Sequence, residues 1–147
     1  MKKFLGVVTV GSLLFSSLLF ASFSGRWSGE GVGTFPSHET LKCAVSFEFN
    51  QSEKNLVLVD GSEKCGDIEY TFNSVTLNII NGKLMYDDLE IGTISDEAIH
   101  IFFQDPNVTM SYDFLKRNHE DETPYIEYHE HTASEEGVSE IHAHLMK

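Results

Sequence analysis

Cations are scarce in this chain. Ten Lys and Arg stand against 23 Asp and Glu, a formal charge of −13 at pH 7 with neutral histidines. Such a surface repels phosphate backbones and anionic lipid, so nucleic acid and acidic membranes are not expected partners, while cations are drawn in. Cysteine is sparse as well, limited to Cys43 and Cys65. Neither a Cys-x-x-Cys nor an adjacent His accompanies them, which argues against a dithiol redox or metal role. No helical stretch of useful length appears, at most a turn near Ser37 to Thr40. The catalytic signatures Gly-x-Ser-x-Gly, His-Glu-x-x-His and the P-loop are all missing. No enzyme is expected, and the many carboxylates read as solvated charge.

One long apolar run is present, at the N-terminus. Lys2 and Lys3 precede an apolar stretch from Phe4 to Phe20, followed by the small residues Ala21, Ser22 and Ser24. That is the layout of a signal peptide over residues 1–24, with Ser22 and Ser24 at the −3 and −1 positions. An uncleaved anchor is the competing reading, since the run nearly suffices to span a bilayer, although serines and glycines dilute it. With removal, residues 25–147 form one secreted or periplasmic domain that has no membrane partner. In an exported protein the even cysteine count reads as a Cys43–Cys65 disulfide. Its loop-entropy contribution is roughly 3 kcal/mol.

What fills residues 25–147 is alternation. Leu41, Cys43, Val45, Phe47 and Phe49 alternate with Lys42, Ala44, Ser46 and Glu48, as a strand with one buried face requires. Further runs follow at Leu56 to Val59, Ile68 to Phe72, Val75 to Ile80, Lys83 to Tyr86, Glu90 to Ile94, Ala98 to Gln104, Val108 to Lys116, Tyr125 to Thr132 and Val138 to Met146. Asp60-Gly61, Cys65-Gly66, Asn81-Gly82 and Asp105-Pro106-Asn107 read as turns between them. About ten short strands joined by tight hairpins predict an all-β, single antiparallel up-and-down β-barrel of about 8–10 strands, closed because closure removes aggregation-prone edges.

The first of these strands carries a pattern of its own. Gly25-Arg26-Trp27 holds the only tryptophan, and Gly29, Gly31 and Gly33 follow at alternate positions before Phe35-Pro36-Ser37. With no strand before it and no helix after it, this is not a phosphate loop. Glycines within a strand instead permit a bend or a close approach of another backbone or a ligand. Gly25-x-Trp27 resembles the Gly-x-Trp signature of calycins, the superfamily of lipocalins and fatty-acid-binding proteins, and the longer run is similar to the opening of nitrobindins. The resemblance covers about thirteen residues. It implies a barrel with Trp27 as its floor plug and small apolar or amphipathic molecules inside. Nitrobindins hold haem through a His opening a closing segment, and in the best register here Glu140 takes that position. The barrel carries over; haem is not expected, and no cofactor beyond surface zinc or copper is.

Two groups of side chains are candidates for binding. Trp27, Phe47, Tyr70, Tyr112 and Phe114 are expected to point inward and to line a site for a small apolar ligand, unless the interior is packed solid. His129-x-His131 and His142-x-His144, with Glu127 and Glu140, share the outer faces of the last two strands, opposite Ile126, Tyr128, Ile141, Ala143 and Leu145. Imidazoles converging across a hairpin suit zinc or copper; a solvated polar face is the alternative. The expected function is an exported carrier of an apolar or amphipathic molecule. The alternatives are metal binding through the His pairs or a non-catalytic interaction module.

Overall fold

A computed structural model describes residues 22–147. The signal-peptide expectation falls mostly on residues 1–21, outside the described residues.

The strands are β1 (Gly25–Thr34), β2 (Thr40–Gln51), β3 (Asn55–Cys65), β4 (Ile68–Phe72), β5 (Val75–Ile80), β6 (Lys83–Tyr86), β7 (Leu89–Ile94), β8 (Ala98–Gln104), β9 (Val108–Asn118), β10 (Pro124–Ser134) and β11 (Gly137–Met146). Every pairing is antiparallel. Neighbouring strands pair around the wall, β2 joins β1 to β3, and β11 returns to pair with β1 and closes it. The result is the expected all-β up-and-down barrel, with ten strands in the closed wall and β4 in addition. β4 and β5 meet successive halves of β3, Gly61 to Cys65 and Asn55 to Leu58, in one continuous register. They are two halves of one strand interrupted at Asn73-Ser74. No helix forms among the described residues; Ser37 lies in a turn, with His38 at φ 62°.

The Asp60-Gly61 turn expected from the sequence does not exist. Both residues lie inside β3, where Glu48 pairs with Asp60 but Phe49 pairs with Leu58, leaving Val59 as a bulge. One extra residue reverses the inward parity of the strand. Leu56 is buried before the bulge, and Gly61, Glu63 and Cys65 are buried after it. Glycine is needed at Gly61 for space, because a Cβ there would press into the ring of Phe47.

The glycines of β1 have the same kind of explanation. Gly29 and Gly31 face inward beside β11, where a Cβ would run into the backbone carbonyls of His144 and His142. Close approach of β1 to β11 therefore requires glycine at the seam that closes the barrel. Trp27 is wholly buried, and its indole Nε1 donates to the carbonyl of Phe23 at 2.8 Å. Phe23 is itself wholly buried, with Lys116 Nζ 4.4 Å from its ring centroid. Ser24 Oγ accepts from the amide of Gln51 at 2.8 Å. The packed unit thus takes in Ser22 to Ser24, three residues ahead of the boundary expected from the sequence. Above this floor lie the rings of Phe47, Phe49, Phe114 and Tyr128, with centroids about 5–6 Å apart. Cys43 and Cys65 sit opposite one another on β2 and β3 and are joined by a buried disulfide. No helix among the described residues is long and apolar enough to cross a membrane.

Candidate functional site

The interior is partly hollow. One chamber of about 180 Å³ is lined by apolar side chains, among them Phe47, Phe49, Leu58, Leu77 and Phe114, and opens past the exposed Tyr86. A second, of about 230 Å³, contains Glu63, Glu130, Thr132 and Ser139 beside Phe35 and Ile141. Phe72 and Tyr112 belong to the walls of both, and their rings meet edge to face at 5.9 Å. The pair is a partition of two side chains between an apolar compartment and a polar one. Neither lining includes a Lys, Arg or His.

The polar chamber is organised by Glu63, which is 1% exposed. The Tyr128 hydroxyl contacts both Glu63 Oε1 and, at 3.0 Å, Glu130 Oε2. Thr132 Oγ1 donates to Glu130 Oε1 at 3.4 Å. A phenol has one hydrogen and cannot donate to two carboxylate oxygens at once, so the cluster needs a further proton. Burial, and then the neighbouring Glu130, push the Glu63 carboxyl up to about 9. The extra proton belongs to the Glu63–Tyr128–Glu130 cluster, and burial favours its place on Glu63. Burial also raises Tyr112 and Tyr128 above the ordinary phenol value, with the two glutamates adding to the effect.

Of the expected ligand-lining residues, Phe47, Tyr112 and Phe114 border the apolar chamber. Tyr70 borders the polar one, at its mouth, 55% exposed. Trp27 packs against Phe23 in the floor and lines neither chamber. Glu63 and Glu130 went unrecognised among the many acids of the sequence. Parity holds the signal that finds them: Glu130 continues the inward face of Ile126 and Tyr128, and Glu63 lies two residues before the inward Cys65.

The four expected metal-binding histidines do not gather as one group. His129 faces His142 across the hairpin, with ring centroids 4.2 Å apart. His131 Nδ1 instead lies 3.2 Å from Glu140 Oε1. His144 lies beside His119, Nε2 to Nε2 3.4 Å. Among the described residues, no three or more His, Cys, Asp and Glu side chains are arranged to hold a metal ion.

No protein-family model matches the chain, and no curated protein matches it in sequence. The architecture is consistent with a calycin-like barrel on its strand order and closure alone.

Proposed function

We propose that this protein binds a small amphipathic molecule inside its barrel, with the apolar part behind the Phe72–Tyr112 partition and the polar head against Glu63, Tyr128 and Glu130. The observation that carries the reading is the adjacency of the two chambers, one apolar and one built around a buried carboxyl. A packed scaffold would gain stability by filling both with side chains. The head-group chemistry follows from what lines the polar chamber. Acids and hydroxyls without a cation disfavour a carboxylate head and favour an amine or alcohol. The two glutamates meet on one phenol oxygen, leaving no room for a glycosidic bond between them, which favours a carrier over a hydrolase. The disulfide suits an oxidising compartment, so the carrier is read as exported.

Decylamine, decanol and decanoate share one chain and differ in the head, and calorimetry at pH 7 separates them. The amine and the alcohol should bind, decanoate at least about tenfold more weakly. Glu130→Gln should reduce the preference for amine over alcohol. Heats of dilution alone for all three, or decanoate as the tightest, would remove this reading.

A further inference from the structure

A second site is built on the outer wall, by residues that the interior does not use. His119 is fixed in the turn between β9 and β10: its amide donates to the carbonyl of Thr123 at 3.0 Å and its carbonyl accepts from Glu122 at 2.9 Å. His144 and Met146 lie two residues apart on β11, so both project outward beside this turn. The two imidazole planes are inclined to one another by 28°, and their centroids are 5.2 Å apart. Their Nε2 atoms are 3.4 Å apart, closer than the ring centres, so the nitrogen edges are what converge. Met146 Sδ stands 3.5 Å from His119 Nε2. The Tyr125 ring backs both imidazoles, at 4.1 Å from His144 and 4.3 Å from His119.

These separations match ligands around one ion. Two nitrogens each about 2.0 Å from a metal, at a trigonal to tetrahedral angle, stand about 3.3–3.5 Å apart, as those of His119 and His144 do, and a sulfur at about 2.3 Å stands at a similar distance from a nitrogen, as Met146 does from His119. A hydrogen-bonded network accounts for the group less well, because a single proton on His119 Nε2 cannot serve both His144 and Met146. The surroundings are anionic. Glu30 on β1 and Glu127 on β10, the latter paired with Arg117 at 3.7 Å, flank His144, and Glu120, Asp121 and Glu122 share the turn with His119. A thioether beside two imidazoles is a soft donor set, which selects monovalent copper over harder ions.

We propose that His119 Nε2, His144 Nε2 and Met146 Sδ form a binding site for one monovalent copper ion. The probe is Cu(I) alone, presented anaerobically as its coloured bicinchoninate complex to the purified protein. Wild type should withdraw one equivalent. His119→Ala and His144→Ala should each weaken that competition at least about tenfold. Met146→Leu should lower the affinity for Cu(I) while leaving any zinc affinity unchanged, which separates a sulfur ligand from a general loss of structure. The His129→Ala/His142→Ala double variant should behave as wild type. Failure of wild type to compete, competition by the His119 and His144 variants as strong as that of wild type, or a loss confined to the His129/His142 variant would each overturn the assignment.

Discussion

Glu63 has a consequence that surface carboxylates do not share. Its folded-state proton affinity is raised, to about 9, chiefly by burial. Below an ordinary carboxyl value, about 4.3, the folded and unfolded chains both hold the proton, and this group gives no pH dependence. Between that value and about 9 the folded chain binds more protons, so the contribution of Glu63 is lost as pH rises through the window. Glu63→Gln keeps a donor beside Tyr128 and removes the titration. Urea unfolding at pH 5 and pH 8 should therefore show a smaller fall in stability for the variant than for wild type. An equal fall in both would mean that Glu63 is not held protonated. Residue identity was fully legible at this scale; residue environment was not. Among 23 Asp and Glu, strand parity can turn Glu63 and Glu130 inward, but it does not show that they meet at Tyr128 or how far burial isolates Glu63.

At the scale of elements, strand positions followed from alternation because a half-buried sheet imposes a two-residue period. Alternation also placed Phe47, Tyr112 and Phe114 on the inner face. It failed on β3, where a composition typical of a turn proved to continue a strand just past a bulge at Val59. Asp60-Gly61 has the local chemistry of a turn, but Gly61 is needed for the approach of the Phe47 ring from β2, a contact invisible to neighbouring residues. The seam between β1 and β11 supplies the sharpest element-level prediction. Gly31→Ala would drive a Cβ into the His142 carbonyl and Ala143, on a backbone held by pairing on both sides. It should cost about 1–3 kcal/mol in chemical denaturation, as overpacking does. Exposed Ser28→Ala on the same strand should stay within about 0.5 kcal/mol. Equal stability of Gly31→Ala and wild type would show that the seam can open without penalty.

The whole molecule is a barrel stapled at one end and plugged at the other. The Cys43–Cys65 disulfide ties β2 to β3 beside the polar chamber, and Cys43→Ala/Cys65→Ala should lower unfolding free energy by roughly 3 kcal/mol. At the floor, Phe23 seals against Trp27 and Lys116, and Phe23→Ala should cost about 3–5 kcal/mol. A cut after Ser24 would delete that plug. If the chain is processed on export, the mass of the mature form should retain Ser22 and Phe23; a form beginning at Gly25 would contradict the floor as described.

The class of fold, the closing of the barrel, the pairing of its two cysteines and the outward face of its C-terminal histidines were all readable from the order of residues. Each of these depends on local periodicity or on composition, which neighbouring residues carry between them. The Gly25-x-Trp27 resemblance already pointed to Trp27 as a floor plug, and the packed barrel then removed it from the cavity walls. Only the tertiary structure divided the interior at Phe72 and Tyr112, brought Glu63 to Tyr128 and Glu130, and set His144 beside His119 instead of His142. Those outcomes depend on strand register, on one bulged residue and on which side chains meet across the barrel. They join positions as distant in the chain as Glu63 and Tyr128, and no local pattern encodes such a meeting.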